Sequence, residues 1–415
     1  MVISRSILVS PLHSYIDDDL SIKISGCNPY VKIRIESKML DQKENVFKAQ
    51  CDVQADSEGK LSLSQTEVDR LFWSAEKENT RHGDYFYKSD ASELEMDLVF
   101  EVDDQVQETV QVRRYFYTED IKREEVKEQG VVGTLFESDA GDNQPTVLLL
   151  GGSDGEIQEH AAALLASKGY TVFALAYFAQ EGVPKDLEKV PLEYFYGAVQ
   201  WLKTRANKEK VSIIGYSRGA EIALLVASTY DDEFDAVVAG APGAYVTSGL
   251  KNTMYAPIPS WTLDGEELPY LKFKYRPAQM FSMFGGMITR NPVSFLSIWE
   301  NSLKSPEEID PSRIQVEKIK APVMLIAGGQ DQVWPAERFA TQIEERVNVP
   351  IRCLNYEEAG HFLAFPYALL GMPANVNMHV GAGMIMDFGG TKSANAAAAK
   401  ASWKELLDFL SENAR

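Results

Sequence analysis

Apolar and polar residues alternate along residues 1–118 of the chain. The clearest case is Leu94, Met96, Leu98, Phe100 and Val102, which have mostly acidic side chains between them. A period of two is typical of strands that bury one face and expose the other, as antiparallel strands commonly do. Turn residues at 26–29 and 56–59 separate such segments. The pattern therefore predicts an N-terminal antiparallel β-sandwich.

After residue 125 the rhythm changes to short apolar runs that alternate with amphipathic helical windows. The runs lie at 146–150, 171–176, 211–214, 236–239, 322–327 and 351–354. The helical windows lie near 157–168, 191–205, 218–230 and 335–346, and a last helix begins after a cap at Thr391 or Ser393. Alternation of this kind predicts a mostly parallel sheet with helices on both faces, which is the α/β class.

Two domains are expected because a chain of 415 residues exceeds the length of about 250–300 residues at which one core stops growing. We predict a sandwich domain over 1–122 and an α/β domain over 123–415. The α/β domain carries an insertion at about 242–312 that is rich in aromatic and Met residues. That insertion is either a cap lining an apolar pocket or a satellite core under a long loop.

The net charge and the cysteine content limit which binding partners and which cellular compartment we expect. The chain has 61 acidic and 41 basic side chains, a net charge of −20, which disfavours nucleic acid or an anionic membrane as the main partner. Cys27, Cys51 and Cys353 match no zinc spacing and cannot all pair, so we expect a cytoplasmic protein without a metal. No secretion signal is evident in Met1–Leu20, and no charge-free run of 18 apolar residues predicts a membrane span.

Candidate chemistry centres on the segment Gly215–Gly219, which reads GYSRG and lies between an apolar strand and a helical stretch. Glycines on both sides of Ser217 permit a sharp turn that projects its hydroxyl above the sheet. The alternative without a catalytic role is that this segment is a glycine-rich strand-to-helix connection in which Ser217 caps the helix N-terminus. A serine needs a base to become nucleophilic, so the hypothesis requires a histidine and a carboxylate later in the chain.

Asp331 and His361 supply those groups in the order Ser, Asp, His. Each follows an apolar run, and the carboxyl ends of strands are the edge where α/β sheets gather reactive groups. The alternatives are weaker. His379 lies in an irregular Met-rich and Gly-rich segment, and His160 lies inside a helical window.

Further alternatives come from the neighbours of His361 and from the N-terminal half. Glu357 and Glu358 are close to the histidine in sequence but lie off the preceding strand end, where the orienting acid is expected. His13 and His82 have no local catalytic partners.

Backbone amides of Arg218 and Ser153 are the predicted oxyanion hole, since a glycine-rich loop at 151–155 lets main chain approach a substrate carbonyl. The Arg218 side chain either pairs with an anionic substrate group or makes a surface salt bridge. Glu221 complements the dipole of its helix. We expect no metal and no organic cofactor.

Taken together, several motifs resemble the acyl-CoA thioesterase and bile acid-CoA:amino acid N-acyltransferase family. They are RYFY at 114–117, GTLF at 133–136, LLASKGYTVFALAY at 164–177, LEYF at 192–195, GYSRGAE at 215–221, EAGH at 358–361 and ASWK at 401–404. The glycine loop and the aromatic segment 255–299 look more like bacterial members. The resemblance implies an N-terminal sandwich, an α/β-hydrolase domain and a triad of Ser217, Asp331 and His361.

The resemblance also implies a function. Amino-acid-conjugating members of that family carry cysteine at the nucleophile position, whereas this chain has Ser217, which favours hydrolysis over transfer to an amino acid. We therefore predict a serine hydrolase acting on acyl-CoA-type thioesters through an acyl-enzyme. The alternatives are a carboxylesterase or dienelactone-hydrolase-like enzyme, an N-acyltransferase, and an inactive binding protein.

Overall fold

The structure, a computed structural model, describes residues 5–103, 105–138, 144–252, 254–381 and 383–414. All three cysteines are unpaired, and Cys51 is buried. The strands are numbered β1 to β24 and the helices α1 to α9 in chain order.

No helix in the described ranges is both long and apolar enough to cross a membrane.

The N-terminal region is built from antiparallel strands, with one short helix beside them. Its elements are β1 (Ser6–Ser10), β2 (His13–Tyr15), β3 (Ser21–Ser25), β4 (Lys32–Leu40), β5 (Val46–Gln54), β6 (Leu61–Ser62), α1 (Gln65–Trp73), β7 (Glu76–Lys77), β8 (Leu94–Val102) and β9 (Gln105–Tyr115). They form a six-stranded sheet in the order β2-β9-β8-β4-β5-β7 and a three-stranded sheet in the order β1-β3-β6. Apart from the parallel β2–β9 pair, neighbouring strands run antiparallel.

Alternating burial in β8 confirms the period-two prediction. Its five alternating apolar residues, Leu94, Met96, Leu98, Phe100 and Val102, are all buried, and Glu95 between the first two is exposed. Ile22 of the smaller sheet and Ile35 of the larger one belong to a common core. The alternation thus gives each sheet one face that is buried, and the two buried faces share that core.

The second region is organised around an eight-stranded sheet in the order β10-β11-β13-β12-β15-β16-β21-β22. Its strands are β10 (Ile121–Glu128), β11 (Val131–Ser138), β12 (Thr146–Leu150), β13 (Thr171–Leu175), β15 (Val211–Tyr216), β16 (Phe234–Gly240), β21 (Val323–Gly328) and β22 (Ile351–Tyr356). From β13 to β22 all neighbours are parallel, whereas β10 and β11 are antiparallel additions at one edge. The predicted α/β class is confirmed.

The helices that cover this sheet lie where the helical windows predicted them. They are α2 (Glu159–Ala166), α3 (Leu192–Ala206), α4 (Arg218–Thr229), α8 (Ala336–Glu344) and α9 (Lys392–Asn413). Thr391, and not Ser393, caps α9, because its side chain accepts a hydrogen bond from the Ala394 amide.

The hairpin of β10 and β11 was not among the predicted strands. Six charged residues between 122 and 128 interrupt the alternation of apolar and polar residues by which a strand is recognised. Charge on an edge strand discourages pairing with another chain, and β10 is such an edge. The predicted domain boundary after residue 122 lies inside β10, and the division itself stays a prediction.

Between β16 and β21 the chain leaves the sheet and covers its carboxyl edge. The elements there are β17 (Ser248–Lys251), β18 (Met254–Pro259), β19 (Trp261–Leu263), β20 (Glu266–Glu267), α5 (Pro277–Thr289), α6 (Leu296–Ser302) and α7 (Pro306–Ile309). β14 (Val190–Pro191) pairs with β19. A hairpin of β23 (Asn377–Gly381) and β24 (Met384–Asp387) lies beside α5, so the segment expected to be irregular around His379 is a strand.

Candidate active site

Ser217 occupies a strained turn between β15 and α4. Its φ of 55° and ψ of −116° place a non-glycine residue in a sparsely populated region. A Cβ on Gly215 would lie 2.0 Å from the carbonyl oxygen of Gly219, and one on Gly219 would lie 2.4 Å from that of Leu150. Only glycine fits at both positions, which explains why the GxSxG spacing produces this turn.

The structure brings the three predicted side chains together. His361 Nε2 lies 2.9 Å from Ser217 Oγ, and His361 Nδ1 lies 2.6 Å from Asp331 Oδ2. All three are nearly buried, with Ser217 the most exposed at 9%. Because an ionised carboxylate only accepts hydrogen bonds, Nδ1 carries the proton and Nε2 is left to accept from the serine hydroxyl.

Asp331 is itself held in place by main chain. It follows β21, and its Oδ1 accepts hydrogen bonds from the amides of Val333 at 2.8 Å and Trp334 at 3.2 Å. Its other oxygen is therefore directed at the imidazole. His361 follows β22, so both groups lie at the carboxyl edge predicted for them.

Tyr216 links the turn at Ser217 to the loop that carries His361. Its hydroxyl donates to the carbonyl oxygen of His361 and accepts from the Leu363 amide at 3.0 Å. The residue before Ser217 thus holds the backbone that directly follows the His361 side chain.

The loop at 151–155 lies beside this group, and Ser153 lines the same cavity as Ser217 and His361. Tyr177 donates its hydroxyl proton to the carbonyl oxygen of Gly151 at 2.7 Å. Arg218 begins α4 directly after Ser217, where the first amides of a helix have no partner within it. The two predicted oxyanion donors therefore belong to the segments that flank the serine.

Asp154 and Tyr367 are a pair that the sequence analysis missed. The Tyr367 hydroxyl donates to Asp154 Oδ1 at 2.8 Å and accepts from the amide of Gly152 at 2.6 Å and from Gln158 Nε2 at 3.1 Å. Burial raises the pKa of Asp154 to about 6. The partners are more than 200 residues apart in sequence, and no local motif signals the contact.

Arg218 and Glu221 correct two sequence-based interpretations. Both side chains are completely buried and paired with each other, so Arg218 neither makes a surface salt bridge nor meets a substrate. Arg218 also donates to Ser260 Oγ at 2.7 Å, and Glu221 accepts from the amide and hydroxyl of Thr247 and from the Trp261 indole at 2.9 Å. Glu221 is therefore more than a complement to the helix dipole, because this network anchors the segment after β16 to α4.

A cavity of about 580 Å³ opens above Ser217. The apolar part of its lining comes largely from the insertion and the β23–β24 hairpin: Leu250, Met254, Met283, Phe295, Met378 and Met386. The N-terminal region adds Lys43, Tyr85 and Tyr87.

His379 and His160, the two histidines weighed as alternatives to His361, lie in different parts of the fold. His379 lines the cavity, whereas His160 is buried in α2 with its ring packed edge-on against Phe116. Burial lowers the pKa of His160 to about 4. Neither contributes to the hydrogen-bonded chain of Ser217, His361 and Asp331.

A mostly parallel sheet with helices on both faces, a strained strand-to-helix turn at Ser217, and Asp331 and His361 at the carboxyl edge are the features of the α/β-hydrolase class.

Comparison with known proteins places the chain within that class. The family described as "BAAT / Acyl-CoA thioester hydrolase C terminal" matches residues 190–414, and "Acyl-CoA thioester hydrolase/BAAT N-terminal region" matches residues 17–128. The chain belongs to the BAAT / acyl-CoA thioester hydrolase family. The predicted resemblance and the predicted enzyme class, a thioester or ester hydrolase, are confirmed by this membership.

Similarity to individual relatives extends over nearly the whole chain. Acyl-coenzyme A thioesterase 1 of Mus musculus is 27% identical over 95% of this chain and 93% of its own length. Acyl-coenzyme A amino acid N-acyltransferase 1 of Mus musculus is 26% identical over 97% of this chain and 96% of its own. Among solved structures, a dienelactone hydrolase from Anabaena variabilis aligns with a TM-score of 0.40 and 14% identity, covering 72% of this chain and all of that one.

Proposed function

We propose that this protein hydrolyses acyl-CoA thioesters through an acyl-enzyme formed on Ser217. The observation that carries the proposal is the unbroken hydrogen-bonded chain from Ser217 Oγ through His361 to Asp331. The names of the thioesterase relatives support the substrate class.

In the first step His361 Nε2 takes the hydroxyl proton as Ser217 Oγ attacks the thioester carbonyl. Asp331 stabilises the imidazolium that forms. The amides of Arg218 and Ser153 hold the oxyanion, and the carbon–sulfur bond breaks to release the thiol, which takes up the proton from His361.

In the second step water replaces the thiol. His361 accepts a proton from the water as the water oxygen attacks the acyl carbonyl. His361 then donates that proton to Ser217 Oγ as the ester bond breaks. A thiol with a pKa of about 8.5 is a good leaving group, so protonation of the leaving atom matters less than for an amide.

The apolar lining from the insertion and the β23–β24 hairpin is the proposed site of the acyl chain. The part of the lining that the N-terminal region supplies, with Lys43, Tyr85 and Tyr87, is the proposed site of the leaving group. Its polar groups suit the amides of a pantetheine arm better than a hydrocarbon.

The test is thiol release from acyl-CoAs of increasing chain length, with the Ser217→Ala variant as the control. Turnover by the native enzyme and none above background by the variant is expected. Turnover of aryl esters or lactones without turnover of any acyl-CoA would support the ester hydrolase alternative instead. Release of the acyl group as an amide when glycine or taurine is present would indicate transfer.

A fluorophosphonate probe separates an active serine from an inactive scaffold. We expect labelling of the native protein and none of Ser217→Ala. Folded native protein that does not react would contradict the proposed nucleophile.

A further inference from the structure

The helix α5, Pro277–Thr289, is unusual among the helices of this chain because its sequence PAQMFSMFGGMIT contains no charged residue. None of its residues is buried. A helix that is apolar and yet exposed retains an unfavourable contact with water unless something else covers it.

Its two faces differ in what they contact. Met283 and Met287 pack towards Val293 and the β23–β24 hairpin. Gly286 makes that approach close, since a Cβ there would lie 2.3 Å from Val293 Cγ2. This inner face is part of the fold.

The outer face is a stripe of three large apolar side chains spaced i, i+3 and i+7. Phe281 is 78% exposed, Phe284 56% and Ile288 83%. The spacing places them on one side of the helix, roughly opposite Met283. They contribute nothing to the cavity, whereas Met283 lines it together with Ser217. The helix is therefore an outer wall of the candidate active site.

The chain segment that contains α5 is basic, whereas the chain as a whole is acidic. Between Glu267 and Glu300 the chain has no acidic residue and four basic ones, which are Lys272, Lys274, Arg276 and Arg290. Arg276 and Arg290 stand at the two ends of the helix and are exposed. The net charge of −20 for the whole chain makes this basic segment an exception.

We propose that the outer face of α5 docks on the surface of an anionic lipid bilayer. Apolar side chains flanked by Arg and Lys are what a helix needs to lie in the plane of a bilayer, with its rings among the acyl chains and its cations at the headgroups. A helix of 13 residues is too short to span, so it rests on the bilayer. The sequence-based expectation against an anionic membrane rests on the net charge of the whole chain, and this segment departs from that average.

A second copy of the chain fits this surface less well. A two-fold dimer through α5 would bring the same basic residues of both copies into one interface, where like charges repel. Anionic headgroups complement them instead. In combination with the proposed thioesterase activity, docking would place the opening of the apolar cavity near the membrane in which long acyl chains partition.

Vesicle binding tests the inference without relying on turnover. Native protein and the Ser217→Ala variant are mixed with vesicles of phosphatidylglycerol and phosphatidylcholine in equal parts, and the bound fraction is measured by flotation. Both are expected to bind, and binding is expected to weaken on pure phosphatidylcholine and at high salt. The variant with Phe281, Phe284 and Ile288 all changed to Ser is expected to lose affinity by about tenfold or more.

The matched control changes exposed apolar residues elsewhere, Leu8→Ser with Val106→Ser, which are 56% and 61% exposed. This control is expected to bind vesicles as the native protein does, and circular dichroism checks that both variants are folded. No binding to anionic vesicles, or equal binding by the α5 variant, would overturn the inference. A dimer that the α5 variant disperses, without vesicle binding, would overturn it in favour of self-association.

Discussion

The two regions of this protein use β-strands in different ways. In β8 buried and more exposed residues alternate, whereas all six residues of β15 are buried. A strand with one wet face can carry charge along its length, but a strand covered on both faces can place reactive groups only where it ends. This difference explains why Ser217 and Asp331 follow fully buried strands of the second sheet, and His361 follows the neighbouring edge strand.

The N-terminal region contributes to the same cavity in another manner. Tyr85 and Tyr87, which line it, belong to the connection between β7 and β8 and not to either strand. We interpret the first region as a wall of the site and the second as the source of its chemistry. Variants in the two regions should therefore have effects of very different size.

The largest expected effect is on catalysis in the second region. Ser217→Ala or His361→Ala should lower kcat by about 10⁴-fold or more, because the nucleophile or its base is lost. Thiol release from an acyl-CoA measures it. His379→Ala removes a histidine that lines the same cavity from the β23–β24 hairpin and should retain most of the activity. A comparable loss in that variant would show that the base has been assigned to the wrong residue.

The next effect concerns stability where the two regions meet. His160 in α2 packs against Phe116, and its Nδ1 lies 3.4 Å from the carbonyl oxygen of Ser89. Burial lowers its pKa from 6.5 to about 4, so the unfolded chain binds a proton more readily than the folded one. As the pH falls from about 6.5 towards about 4, this residue should remove on the order of 3 kcal/mol of stability.

Denaturant unfolding at pH 7.5 and pH 5 measures this loss. His160→Gln has no proton to take up, so its free energy of unfolding should fall less between the two pH values than that of the native protein. His13→Gln, at an exposed histidine, is the control and should keep the native pH dependence. An unchanged dependence in His160→Gln would mean that the junction opens to water before the protein unfolds.

The parts of the fold that the sequence predicted are those with a local signal. The parallel strands were evident because each contains a short, mostly apolar run, and Ser217 was evident because its turn requires two glycines. The location of Asp331 and His361 at one edge of the sheet could be predicted because each follows the end of an apolar run. Such features depend on neighbours within a few residues.

What the sequence did not reveal depends on contacts across the fold. Charged residues hid β10, since an edge strand needs no apolar period. A surface salt bridge was one interpretation of Arg218, because only the fold shows that Glu221 and Ser260 bind its buried side chain. Tyr367 carries no motif, and only the fold brings its hydroxyl to Asp154.

Tyr367 should affect the rate of the reaction more than the binding of the substrate. Tyr367→Phe should lower kcat by roughly 10- to 100-fold with little change in KM, because the Gly152 amide and Asp154 lose their common partner and the Ser153 amide is less well placed for the oxyanion. Steady-state kinetics on one acyl-CoA separates the two parameters. Tyr356→Phe, at a half-buried tyrosine of β22, should leave both unchanged. A rise in KM alone would assign Tyr367 to substrate binding instead.

The smallest effect belongs to the wet face of the N-terminal sheet. Arg34 and Asp52 face each other on β4 and β5, with Nε 2.9 Å from Oδ1 and side chains 44% and 61% exposed. Water and salt screen such a pair, so Asp52→Asn should change the free energy of unfolding by no more than about 0.5 kcal/mol. Denaturant titration at low and high salt checks this. A loss well above that value, insensitive to salt, would mean that this face is covered by another surface in solution, and the contrast between a wet sheet and a dry one would no longer hold.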